Sequence, residues 1–223
     1  MSVSTTKRPK LEVVSPRFNR RHIVIAAIAL CVAVGASFLL ENQKRQTFFG
    51  HAIRPPQSAF DFHLTNQQGN GVRLSQWRGQ VTLFVFGFTH CPSVCPTTLT
   101  NLATIYQALS PADRERVLIA FISVDTHRDT PTVLQSYLSY FDPTFVGLTG
   151  SKEDIDRVTG AYGASYAFVH TPGDAPENYN VMHSSNLYLL NPQGQWELIY
   201  DFQQLQQPFK ITSDVHAILN RSK

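Results

Sequence analysis

Three stretches of the chain are apolar at nearly every position: Ile23–Leu40, Val81–Phe88 and Val117–Val124. The first runs for eighteen residues without a charge, the lower end of what spans a bilayer. The other two are short enough to be strands buried on both faces. Around them the pattern becomes periodic. Phe60, Phe62 and Leu64 alternate with Asp61, His63 and Thr65, and Val72 and Leu74 resume the alternation after the turn Gln67-Gln68-Gly69-Asn70-Gly71, which predicts a hairpin. Leu99, Leu102, Ala103, Tyr106 and Leu109 fall at helical spacing.

Downstream, Pro131 opens a helix carrying Val133, Leu134, Tyr137, Leu138 and Phe141. Phe145–Leu148 is a short strand, and Lys152–Tyr162 a helix with Ile155 and Val158 inward. Gly163–Met182 holds Pro172, Gly173 and Pro176 and reads mostly as loop. Ser184–Leu190 and Gln195–Tyr200 form a hairpin around Asn191-Pro192-Gln193-Gly194, and Thr212–Arg221 is a last helix. Strands alternating with helices, then a closing hairpin and helix, predict an α/β fold. Its mixed central sheet is covered by flanking helices and preceded by one N-terminal transmembrane helix. The expected organisation is a basic tail over 1–22, an anchor over 23–40, a linker over 41–59 with Pro55-Pro56, and a globular domain over 60–223.

Charge sharpens the first part of this picture. Lys7, Arg8, Lys10, Arg17, Arg20 and Arg21 precede Ile23, with only Glu12 opposing them; the remaining 201 residues carry thirteen basic and fifteen acidic side chains. The net charge of +3 therefore belongs to the tail, and no nucleic-acid surface is expected. The positive-inside rule keeps the tail in the cytoplasm and sends everything after Glu41 across the membrane. Val34-Gly35-Ala36 is a poor cleavage site, so the anchor is expected to stay. A bacterial inner membrane with the domain in the periplasm is the expected place. A mitochondrial inner membrane facing the intermembrane space is the alternative.

Of three cysteines, Cys31 lies in the anchor, which leaves Cys91 and Cys95 as one pair. A cysteine pair just after the first buried strand makes the fold thioredoxin-like. Both cysteines precede a proline and should be extended or turn-like. Pro92 suits the second position of a β-turn, and Pro96 the first turn of a helix. Cys95 then sits near a helix N-cap, where the dipole favours thiolate. A structural disulfide closing so short a loop would contribute little. A redox disulfide between the two stays open. The wider CxxxC spacing also suits a shared soft ion, Cu(I) above all, with zinc as competitor.

Two ligands are seldom enough for a metal. Among eight histidines, His183 is the best placed, at the end of the long loop and before the strand Ser184–Leu190. On composition alone a solvated or capping role competes with ligation there. His90 adjoins Cys91, but alternation points it away. Asp125 and Asp129 follow the second buried strand. If the sheet is parallel, their loop shares with the cysteine loop the edge where sites gather; otherwise Asp129 or Thr130 caps the helix that Pro131 begins.

Taken together, these residues resemble the Sco/SenC family. The resemblance is carried by Phe86-Gly87-Phe88-Thr89-His90-Cys91-Pro92-Ser93-Val94-Cys95-Pro96, by Ser123-Val124-Asp125 with Asp129-Thr130-Pro131, by Val146-Gly147-Leu148-Thr149-Gly150, and by His183 before its strand. It spans about Phe60 to Arg221. It implies a thioredoxin-like fold, a membrane anchor, and copper, as Cu(I) or Cu(II), held by Cys91, Cys95 and His183. It also implies a role in assembling the binuclear copper centre of cytochrome c oxidase. The copper-bearing oxidase subunit would be the partner, and another periplasmic copper chaperone or a thioredoxin-like reductant would act upstream. A membrane-tethered thiol–disulfide reductase is the competing function. It is weakened because Val181-Met182-His183-Ser184 stands, without proline, where such reductases carry a cis-proline. A peroxidase fits poorly, since Phe88 and Phe84 stand where peroxiredoxins need threonine and proline.

Overall fold

A computed structural model of the chain describes residues 20–44, 47–170, 173, 175 and 178–221. It divides into two units, residues 1–47 and 48–223. The first holds helix α1 (Arg20–Lys44), whose side chains from 24 to 37 are all exposed. Among the described residues, no helix is long and apolar enough to cross a membrane. The span expected over 23–40 includes side chains at 23 and 38–40 that lie outside those described, as does the basic tail up to residue 19.

Among its described residues the second unit contains ten strands: β1 (His51–Ser58), β2 (His63–Asn66), β3 (Gly71–Arg73), β4 (Val81–Gly87), β5 (Val117–Ser123), β6 (Val146–Thr149), β7 (Tyr166–His170), β8 (Tyr179–His183), β9 (Leu187–Leu190) and β10 (Gln195–Tyr200). Between and after them come α2 (Val94–Gln107), α3 (Pro111–Arg114), α4 (Pro131–Ser139), α5 (Lys152–Ala161), α6 (Phe202–Leu205) and α7 (Pro208–Arg221). Eight strands form one sheet in the order β1-β10-β9-β4-β5-β6-β2-β3, and β7 and β8 pair separately. β4, β5 and β6 are parallel; the flanking pairs are antiparallel. This is a mixed α/β, thioredoxin-like sheet.

β4 is buried at all seven positions, as a strand covered on both faces must be. On one face Phe84 stacks on its cross-strand partner Tyr188, with ring centroids 5.0 Å apart. Helix α7 packs against β4 and against α2, and α4 lies against β6. Because β4 and β5 run parallel, the loops after them open on the same edge of the sheet, at residues 88–93 and 124–130.

Two segments depart from the sequence reading. The expected linker over 41–59 contains β1, which pairs with β10 at the sheet edge. Its prolines, Pro55 and Pro56, fall where the register shifts between Ala52 and Gln57. An edge strand with a bulge is where a sheet tolerates a residue without an N–H. The expected loop over 163–182 holds the β7–β8 hairpin, with Tyr166 opposite His183 and Phe168 opposite Val181. His183 therefore ends a strand rather than preceding one directly, and β9 begins only at Leu187.

The chain enters this unit through a clasp. Buried Asp214 of α7 accepts the backbone N–H of Phe49 at 3.1 Å and of Gly50 at 2.9 Å, and the Tyr200 hydroxyl at 3.0 Å. Gly50 must be glycine for this contact, because a Cβ there would lie 2.6 Å from the Tyr200 ring.

Candidate metal centre

β4 leads directly into the cysteine loop. The chain turns over Phe88–Cys91, where the Cys91 N–H donates to the Phe88 carbonyl at 3.3 Å. The turn thus ends at Cys91, three residues earlier than the Cys91–Val94 turn that Pro92 at the second position suggested. α2 then starts at Val94, with Ser93 at the N-cap making no side-chain capping bond. A first-turn N–H of a helix needs an acceptor. Here the Cys91 sulfur supplies it, accepting from the Cys95 N–H at 3.4 Å.

This places the thiolate on the residue that helix-cap reasoning did not choose. The Cys91 thiol is lowered from 9.0 to about 4, chiefly by a hydrogen bond from the Cys95 thiol, with further help from the backbone N–H groups of Cys95 and Ser93; burial opposes the shift. The Cys95 thiol is pushed up by the same hydrogen bond and by its burial. Both cysteines are free and buried, Cys95 at 3% exposure and Cys91 at 9%. The helix N-terminus therefore works on the sulfur that precedes it, and the thiol inside it keeps its proton.

Cys95 lies close against β4, and Gly87 makes that approach possible. A Cβ at Gly87 would fall 2.8 Å from the Cys95 sulfur and 2.5 Å from the Phe121 ring. No pattern in the sequence marks this glycine except its place in the family-like stretch Phe86–Pro96.

His183 reaches the pair from β8. Its Nε2 is 3.4 Å from the Cys95 sulfur, and its Nδ1 is 2.9 Å from the Ser184 carbonyl. The carbonyl only accepts, so Nδ1 carries the proton and Nε2 presents its lone pair to the sulfurs. The Phe88 ring meets the imidazole edge-on at 5.7 Å. The Cys91 and Cys95 sulfurs and one His183 nitrogen all lie within 4.8 Å of one another, the one such cluster among the described residues. Two thiol sulfurs and an imidazole nitrogen form a donor set for a soft or borderline ion.

Asp125 and Asp129 are both fully buried and stand outside this cluster. Asp129 accepts from the Thr89 N–H at 2.9 Å, the Thr89 hydroxyl at 2.6 Å and the Ser123 hydroxyl at 2.5 Å, and so holds the cysteine loop from below. Burial raises its carboxyl group while those donors pull it down. The helix cap falls to Thr130, whose hydroxyl accepts from the Val133 N–H at 3.4 Å. Asp125 accepts from Arg128 Nε at 2.5 Å and from the Tyr179 hydroxyl at 2.8 Å, and so reaches the β7–β8 hairpin. His90 is exposed, with Nδ1 3.1 Å from the Thr89 hydroxyl, and joins no ligand cluster. His127, His170 and His216 also stay outside it. Gly87, Thr89, Arg128, Tyr179 and Ser184 carry no spacing signal of their own; their roles come from contacts across the fold.

Fold and site together define a thioredoxin-like domain with a dithiol–imidazole cluster, a candidate metal centre, at the end of its central strand. The SCO1/SenC family matches residues 51–220, and the chain belongs to that family. Three solved structures show the likeness. Apo Sco1 from Thermus thermophilus is 36% identical, with a TM-score of 0.70 over 78% of this chain and 98% of its own. Copper-bound ScoI from Bradyrhizobium japonicum is 33% identical, with a TM-score of 0.64 over 72% of this chain and 99% of its own. BsSco, in which a disulfide switch was identified, is a member of the Sco family of cytochrome c oxidase assembly proteins. It is 27% identical, with a TM-score of 0.59 over 78% of this chain and 98% of its own.

Proposed function

We propose that this protein is a copper metallochaperone that holds copper through Cys91, Cys95 and His183 and helps assemble the binuclear copper centre of cytochrome c oxidase. The observation that carries the reading is the convergence of two sulfurs and one nitrogen of His183 within 4.8 Å. Copper is cargo here, and the residues fit it. The two thiolates suit Cu(I), and the added imidazole suits Cu(II). A site with three protein donors can pass its ion by ligand exchange to the copper-bearing oxidase subunit. Asp129 and Asp125 serve by holding the elements that carry the ligands. In this reading Ile23–Leu40 anchors the chain in the bacterial inner membrane, with the domain from about residue 48 in the periplasm, and a periplasmic copper donor or reductant acts upstream.

The test is a titration of Cu(I) and Cu(II) into the reduced domain, with absorption followed for a thiolate-to-copper charge-transfer band. One copper per chain is expected, lost when the cysteines are oxidised to a disulfide. Binding that survives in Cys91→Ser would refute the dithiol site.

A second reading, thiol–disulfide exchange at the same pair, is favoured by the Cys91 thiolate, held at about 4, and by the disulfide switch of BsSco. Exchange needs a thiolate, a leaving group and access, but no imidazole ligand. Oxidase assembly at limiting copper separates the two. His183→Ala should fail there as a chaperone and succeed as a reductase.

A further inference from the structure

The loop 125–129 holds both sides of the metal cluster, through different residues. Asp129 takes the cysteine side at Thr89. Arg128 takes the histidine side. Its Nη1 donates to the Tyr179 carbonyl at 3.0 Å, its Nε donates to Asp125 at 2.5 Å, and its guanidinium carbon lies 3.8 Å from the Tyr179 ring centroid. An arginine beside a carboxylate ordinarily gives it both arms of its fork. Here one arm goes to the carboxylate and the other to the backbone of β8. The remaining nitrogen, Nη2, is buried without a hydrogen-bond partner, so the Tyr179 face holds it in place. Tyr179 closes the ring of contacts by donating its hydroxyl to Asp125 at 2.8 Å.

Tyr179 begins β8 and His183 ends it. Four residues of strand span ~13 Å, and pairing with β7 stiffens them. We propose that Arg128 is a positioning residue for His183. By fastening the head of β8 to the loop that also fixes the cysteine side, it sets where the imidazole stands relative to the two sulfurs. The metal readout of this proposal rests on the copper reading above; its metal-free readout does not.

The experiment compares the parent with Arg128→Lys and Tyr179→Phe. Lysine keeps the charge but cannot bridge carboxylate and backbone while stacking on a ring. Tyr179→Phe keeps the ring and removes one bond, and it serves if Arg128→Lys fails to fold. In metal-free protein, the His183 imidazole signals by nitrogen NMR should show one fixed tautomer in the parent and averaging in Arg128→Lys. With copper, Cu(II) affinity should fall by at least about tenfold in Arg128→Lys, the loss typical of an outer partner of a metal ligand. Cu(I) affinity, which the dithiolate dominates, should change by less than about threefold. Tyr179→Phe should fall between parent and Arg128→Lys. A fixed tautomer and parental Cu(II) affinity in both variants would overturn the proposal. Equal losses for Cu(I) and Cu(II) would also overturn it, by pointing to general damage. If the parent binds no copper at all, the copper reading fails, and the NMR comparison alone decides the role of Arg128.

Discussion

The cysteine loop grows from β4, which is buried at every position, whereas His183 ends a hairpin in which only Val181 of ten residues is buried. The sulfurs are thus extensions of the core, held by Gly87, Phe121 and the first turn of α2. The imidazole rides on an element outside the main sheet, tied down by Arg128, Asp125 and the Ser184 carbonyl. Elements with few buried contacts open at low free energy. The difference suits a carrier: a permanent dithiol paired with a third donor that can leave.

The largest effect should come from striking the core side. Cys95→Ser is expected to lose Cu(I) to a chelator that the parent resists, a loss beyond the ~100-fold typical of losing an outer partner. His183→Ala should keep Cu(I) and lose Cu(II). Equal loss of both ions in both variants would erase the distinction between the two regions.

Packing offers the next contrast. Gly87→Ala forces a methyl group to within 2.8 Å of the Cys95 sulfur and 2.5 Å of the Phe121 ring. Overpacking of this kind costs about 1–3 kcal/mol, readable as a lower midpoint in denaturant. Met182→Ala, on the exposed hairpin at 64% exposure, should stay within about 0.5 kcal/mol of the parent. A neutral Gly87→Ala would show that β4 and α2 yield more readily than the contacts imply.

Acidity gives a smaller but cleaner signal. In metal-free protein Cys91 titrates near 4 instead of 9.0. Its thiolate therefore survives as pH falls through the range where an ordinary thiol is protonated, and disappears only as pH approaches 4. Alkylation of Cys91 by iodoacetamide should be nearly constant from pH 8 down to about 5, while Cys95 stays slow. Cys95→Ala removes the donor altogether and should move the Cys91 profile upward. A profile for Cys91 that already collapses below pH 8 would contradict the shared-proton arrangement.

The smallest change should be in hairpin dynamics. Copper binding is expected to slow amide exchange in β7 and β8 and leave β4 unchanged, because β4 is already closed. Identical hairpin exchange with and without copper would mean that His183 is as fixed as the cysteines.

What the sequence revealed follows the same division. Continuous apolar runs identified β4 and β5, since burial on both faces leaves a dense signal, and the cysteine pair at the end of β4 was legible with them. β1 was hidden because its two prolines look like a tether until an edge position and a bulge accommodate them. The β7–β8 hairpin was hidden because exposed strands show weak contrast and Pro172, Gly173 and Pro176 lie between them. The nearness of His183 to Cys95, 88 residues earlier in the chain, depends on tertiary topology, and only the family-like pattern pointed to it. The place of Cys95 near a helix N-cap favours the thiolate there. The acceptor is instead Cys91, which folds back onto the helix N-terminus from outside.

The Asp214 clasp gives this domain a defined point of suspension. A load applied to the chain at residue 48 meets the paired N–H bonds of Phe49 and Gly50 to a carboxylate that Tyr200 also braces. That fixing lies at β1 and α7, and β10 and β9 stand between β1 and β4. Because α7 also packs against β4 and α2, a pull at residue 48 is carried both into the edge strand β1 and into the elements from which the cysteine loop grows.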